Sequence, residues 1–208
     1  MRHKPMLLHK IIGKSMRQTR EVIGIIGTHH GVGATYTAMM LAFFMGEERG
    51  RKTAFLEYNE HHDMSIIQSC YEWSEEDKDS FSFHNITCYK EVTRSKLMEV
   101  FGQSYDCIII DFGTNFLDNK EELLRCSTKI IVGGRSEWDH QKLLRFLQRT
   151  GRISCDEQWL YFIPQANEKS IYYIKSLIQK HVWAIPTSEN PTEPSRHICR
   201  LFHHLFPD

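Results

Sequence analysis

What this 208-residue sequence lacks narrows it first. It has no charge excess: 26 basic residues stand against 26 acidic ones, so the molecule as a whole offers no electrostatic case for nucleic-acid binding. It has no Cys-x-x-Cys pair. Cys70, Cys88, Cys107, Cys126, Cys155 and Cys199 are far apart, and several fall in apolar strand or helix contexts where a free thiol behaves as a small core residue, as suits a reducing cytoplasm. The adjacent histidines His61-His62 and His203-His204 have no nearby ligand set and would not face one another on a helix, so no metal other than magnesium is expected. No repeats or low-complexity linkers divide the chain, and with 41% hydrophobic residues it can bury one full core without a second module.

The most telling absence is one lysine. Residues 27–35 read Gly27-Thr28-His29-His30-Gly31-Val32-Gly33-Ala34-Thr35, between a buried-strand run Val22 to Ile26 and a helix-prone run Ala34 to Met45. Strand, glycine loop and helix in this order form a phosphate-binding loop, in which bare backbone amides and a helix N-terminus face phosphates, a lysine reaches the outer phosphates, and a hydroxyl holds magnesium. Gly31 and Gly33 supply open backbone and Thr35 the hydroxyl, but Ala34 stands where the lysine belongs. The first glycine is also displaced, with Thr28 at its spacing and Gly27 one residue early. The candidate nucleotide-contacting positions are Thr28, His29, His30, Gly31, Val32, Gly33, Ala34, Thr35 and Tyr36. Two plainer readings stand beside this one: the glycines make a tight ligand-free turn, and His29 and His30 are solvated loop residues rather than partial positive charges for a phosphate.

Downstream, strand and helix patterns alternate. Strands are expected near Thr53 to Glu57, Ile86 to Tyr89, up to Asp111, Lys129 to Val132, Trp159 to Ile163 and Val182 to Ile185. Helices are expected between and after them, near 64–73, 95–101, 119–126, 137–149, 170–180 and 195–206, with 75–79 read as an acidic loop. That alternation predicts an α/β, doubly wound, mostly parallel sheet with helices on both faces. Asp111 ends an apolar strand, at the sheet edge where open α/β folds place ligands.

Charge distribution separates a basic leader, 1–20, from the domain, 21–208. Arg2, Lys4, Lys10, Lys14, Arg17 and Arg20 face no acid there, leaving 20 basic against 26 acidic residues in the body (26 less 6). Leu7, Leu8, Ile11, Ile12 and Met16 fall at helical spacing, so the leader reads either as a basic amphipathic helix for an anionic membrane surface or acidic partner, or as a lead-in that packs on the domain or frays. It is too short and too often charged for a secretory signal or a membrane span.

The Gly-Val-Gly-x-Thr loop, with Phe55-Leu56-Glu57-Tyr58-Asn59 and Tyr105 to Asp111, resembles the MinD/ParA family of P-loop ATPases from about Glu21 onward. The resemblance implies ATP or ADP with magnesium, the metal on Thr35 and Asp111, a base held by Gln165 or Asn167 after the penultimate strand or by Pro186-Thr187-Ser188 after the last, and a face-to-face homodimer. It also exposes departures. Against the family pattern His29 replaces the lysine that reaches across the dimer, Ala34 replaces the phosphate lysine, and Glu57 and Asn59 replace an Asp-x-Asp pair, so the position expected to orient the attacking water carries the amide of Asn59. Losing one charge-assisted contact costs about 1.5–3 kcal/mol, a roughly 10- to 150-fold loss of affinity, whereas losing one cation at a phosphoryl-transfer transition state costs about 10³–10⁵-fold in rate. The pattern implies weak binding and little hydrolysis. It is most like the TadZ and CpaE localisation proteins of tight-adherence pilus assembly, cytoplasmic or peripheral to the inner membrane face, with protein partners in a pilus or secretion machine. A slow ATPase and a ligand-free interaction module are the alternatives.

Overall fold

Apolar runs without alternation have no face to give to water, and in this chain they become the centre of one sheet. A computed structural model describes residues 20–70, 76–77, 79–83, 85–151, 159–186 and 188–207; the amphipathic-helix reading of the leader therefore lies outside the described residues, apart from Arg20. The order is β1 (Glu21–Gly27), α1 (Ala34–Phe43, continued by a π-helical turn Phe44–Glu48), β2 (Thr53–Glu57), α2 (Asp63–Ser69), β3 (Glu76–Asp77), β4 (Ser80–Phe83) and β5 (Ile86–Tyr89). Then come α3 (Arg94–Phe101), β6 (Cys107–Asp111), α4 (Phe116–Arg125), β7 (Thr128–Val132), α5 (Glu137–Thr150), β8 (Trp159–Pro164), α6 (Glu168–Ile178), β9 (Val182–Ile185) and α7 (Arg196–Leu205).

The strands form one nine-stranded sheet in the order β3-β4-β5-β2-β6-β1-β7-β8-β9. All neighbours from β5 to β9 are parallel. Every residue of β2 and β6 is buried, as strands covered on both faces must be. One face packs α1, α2 and α7 around Ile25, Phe44, Met64 and Phe202; the other packs α3 to α6 through Leu97, Leu123, Leu143 and Ile174. Cys88, Cys107 and Cys126 are buried in these layers. Burial pushes the thiols of Cys107 and Cys126 up to about 12, so they stay protonated as core groups.

One expectation needs correction. The stretch read as an acidic loop contributes β3, and the following Ser80–Phe83 forms β4, antiparallel to β5 with Phe81 opposite Cys88. Ser-Phe-Ser-Phe alternates with period two, and Phe81 is only 2% exposed, so the acidic run masked a short strand whose alternate side chain completes the core edge.

From β1 the chain runs outward through β2 and β5, returns to β6 on the near side, and then runs the other way through β7, β8 and β9. Such a reversal opens a crevice at the carboxyl ends of the strands beside β1. The glycine loop leaves β1 at that point.

Candidate functional site

The loop is pinned at its base by Gly27 N–H, which donates to Gly113 O at 2.8 Å, and by Thr28 N–H, which donates to Val132 O at 2.9 Å. Gly31 (φ 76°) and Gly33 (φ 91°) take the left-handed conformation that a side chain resists. Gly33 carries no side-chain cap for α1, so the first amides of that helix are left to the crevice. Thr37 closes the turn, its amide and hydroxyl donating to Gly33 O at 3.0 and 2.8 Å.

Two cavities flank the loop and share His29, Gly31, Val32, Gly33 and Tyr36. The larger, about 780 Å³, adds His30, Ala34, Thr35, His61 and Gly113; the smaller, about 470 Å³, adds Gly133, Arg135, Gln165, Pro186 and Ser188. The structure thus gathers the loop residues with Gln165 and the segment after β9. Tyr36 Oη donates to Ser188 O at 2.7 Å and ties α1 to that segment. Asn167 is placed differently: its side chain caps α6, accepting from Ser170 N–H at 2.8 Å, and it lines neither cavity. Thr28 also lines neither.

Asp111 is wholly buried and bonds to Gly113, which lines the larger cavity. Its Oδ1 accepts from Gly113 N–H at 3.0 Å, while Oδ2 is buried with no hydrogen-bond partner among the described residues. Burial raises its carboxyl to about 6, against the nearby Thr35 hydroxyl, the Gly113 amide and His61, which favour the charged form. An unpartnered carboxylate oxygen beside a threonine hydroxyl is a pair of hard oxygen donors that fits magnesium.

Glu57 and Asn59, aligned above with the Asp-x-Asp pair, bond to backbone groups. Glu57, buried at the end of β2, accepts from Met64 N–H at 3.0 Å and Glu91 N–H at 3.2 Å and so holds two loops together. Asn59 donates to Asp111 O at 3.1 Å and accepts from His61 N–H at 2.9 Å.

His29 is anchored rather than solvated. Its Nε2 meets Asp139 Oδ1 at 3.0 Å and its Nδ1 meets Thr28 Oγ1 at 3.0 Å. Burial, then Lys142, lower its pKa more than Asp139 raises it, so at neutral pH the contact joins a neutral imidazole N–H to a carboxylate and is no salt bridge. Burial would push Asp139 up, but hydrogen bonds from Ser136 and Lys142 and the nearby His29 hold it below the usual carboxylate range. Asp139 belongs to the capping box that starts α5, and its carboxyl lies 2.3 Å from where a Cβ on Gly134 would stand, so only glycine fits there. His30 sits edge-on to His61, ring centroids 5.4 Å apart, and His62 pairs with Glu91 at 3.0 Å. Among the described residues no group of three or more His, Cys, Asp or Glu is arranged to hold a metal ion.

No protein-family profile and no curated protein matches the chain. Solved structures do. A chain of the MinC:MinD cell division protein complex of Aquifex aeolicus superposes with a TM-score of 0.70 at 13% identity, covering 90% of this chain and 96% of that one. The chain has the MinD/ParA fold. The septum site-determining protein MinD of Pyrococcus horikoshii OT3, solved with Mg-ADP, gives a TM-score of 0.65 at 12% identity, covering 91% and 97%. A ParA family ATPase of Chlorobium tepidum TLS gives 0.62 at 16%, covering 82% and 86%. In this chain the glycine loop, Thr35 and the end of β6 lie together. Arg135, just past the end of β7, and Asp139, in the first turn of α5, were not singled out by the sequence, although the segment after a strand end reaches the ligand edge of such a sheet and Gly133-Gly134 was a local sign of it.

Proposed function

We propose that this protein is a degenerate MinD/ParA-like nucleotide-binding protein that holds ATP or ADP with magnesium weakly, hydrolyses it little or not at all, and acts as a localisation or scaffolding factor. The observation that carries the reading is the split within one site. The anion-receiving backbone and the orphaned Asp111 Oδ2 beside Thr35 are retained, while Ala34 offers no cation and Glu57 and Asn59 spend their polar atoms on backbone. Thr35 and Asp111 would hold the magnesium, which neutralises phosphate charge; Gly31 to Thr35 would bind the phosphates and Gln165 would meet the base. Without a free carboxylate at position 59 no side chain there orients a water for attack.

The finer role follows the same family pattern: a homodimer whose assembly depends little on ATP, since His29 turns inward to Asp139, and a partner of a pilus or secretion machine. The basic leader would bring it to an anionic membrane surface; among the described residues no helix is long and apolar enough to cross one. Isothermal titration with ATP, ADP and magnesium, paired with a turnover assay and sedimentation with and without nucleotide, tests this. Weak magnesium-dependent binding without turnover is expected. Family-like turnover, dimerisation only with ATP, or no binding of any nucleotide would refute it.

A further inference from the structure

The glycine loop carries no lysine or arginine, and nucleotide phosphates gain much of their affinity from one. Of all residues lining the two cavities beside the loop, Arg135 is the one lysine or arginine among the described residues. It belongs to the segment that joins β7 to α5, and the sheet brings that segment to the loop. β7 pairs with β1 with Val132 opposite Gly27, and Thr28 N–H donates to Val132 O, so residues 133–135 emerge alongside 28–31.

We propose that Arg135 supplies the cation missing from position 34 and grips the phosphate chain of the nucleotide from the side of β7. The proposal rests on the nucleotide-binding reading above. The side chain is exposed yet directed, its Nη1 donating to Gln165 O at 3.2 Å, which places the guanidinium between the loop after β8 and the cavity wall formed by Gly31 and Gly33. Its acidic neighbour in that cavity is Asp139, whose oxygens are already taken by His29 and Lys142, each at 3.0 Å, and by the Ser136 hydroxyl. No ion pair to Arg135 is found among the described residues, so its charge remains for a ligand. A planar guanidinium forks onto phosphate oxygens, and a carbonyl-held arginine can exchange that neutral acceptor for a charged one at little cost.

Titration of the full chain with Mg-AMPPNP tests the assignment with three variants. Arg135→Ala is expected to weaken binding about 10- to 100-fold, as loss of a charge-assisted contact does. Arg135→Gln, which keeps a donor for the Gln165 carbonyl but no charge, is expected to lose nearly as much, and Arg135→Lys clearly less. Because the side chain is exposed, unchanged melting temperatures are expected for all three. Wild-type affinity in Arg135→Ala overturns the assignment, and wild-type affinity in Arg135→Gln shows that the arginine only anchors a loop and overturns it too. Failure of the unaltered protein to bind Mg-AMPPNP refutes the nucleotide reading itself and this proposal with it.

Discussion

Removing the buried charge at the end of β6 is expected to stabilise the ligand-free protein at neutral pH. Asp111 is fully buried and its carboxyl is displaced from 3.8 to about 6, with Oδ2 unpartnered. At about 1.4 kcal/mol per tenfold change in proton affinity, ionisation at pH 7.5 holds roughly 3 kcal/mol against the folded state. The sign follows from the direction: a carboxyl raised on folding favours the folded chain below its unfolded value of 3.8, loses that advantage as pH rises toward 6, and gains nothing further above it. Asp111→Asn keeps the oxygen that accepts from Gly113 and exchanges the charged orphan for a neutral amide, whose own desolvation returns about 1–2 kcal/mol of cost. A net gain of about 1–2 kcal/mol corresponds to about 3–6 °C in a chain of this size. Calorimetric melting at pH 7.5 and pH 4.5 reads it: the variant melts higher at pH 7.5, loses the advantage at pH 4.5, and no longer responds to Mg-AMPPNP. A variant that melts lower at pH 7.5, or by the same difference at both pH values, would show that the carboxylate is not an uncompensated charge held for a cation.

Gly33→Val places a branched side chain at φ 91° and is expected to destabilise by about 1–3 kcal/mol and abolish Mg-AMPPNP binding; retained affinity in titration would remove the loop from the phosphate site. Ala34→Lys projects into the larger cavity and is expected to tighten binding about 10- to 150-fold without efficient turnover, because Asn59 still binds Asp111 O and His61 N–H; only the added Asn59→Asp should raise the rate in a phosphate-release assay. Asp139→Ala frees His29 and is expected to speed hydrogen exchange of the amides of residues 28–33 by about 5- to 10-fold, the mark of roughly 1 kcal/mol lost from a half-buried contact. Unchanged exchange would mean that the loop holds its shape without that contact.

The layers of this fold were legible in sequence because periodicity is local. Val22 to Ile26 and Ile108 to Ile110 have no polar alternation, so they had to be strands covered on both faces, and the amphipathic stretches between strands had to lie against them. The glycine loop was equally local, since Gly31, Val32, Gly33 and Thr35 are consecutive or nearly so and their spacing alone fits a strand-to-helix turn. The edge hairpin was not read from the sequence, because the alternation of β4 spans only four residues and β3 only two, and such short strands gain their stability from pairing, β3 with β4 and β4 with β5.

The surroundings of the loop were decided only by strand order. His29 meets Asp139 and Arg135 reaches Gln165 because β1, β7 and β8 lie side by side, although 110 residues (139 less 29) separate the first pair and 30 the second. The sequence resemblance aligned Glu57 and Asn59 with the family's Asp-x-Asp pair; it could not show that their polar atoms are spent on the amides of Met64, Glu91 and His61 and the carbonyl of Asp111. A residue's identity sets what it can bind, but a buried polar atom bonds to whatever the topology places within about 3 Å of it, and here that was backbone for Glu57 and Asn59, while Asp111 Oδ2 has only the Thr35 hydroxyl near its carboxyl and no close partner among the described residues.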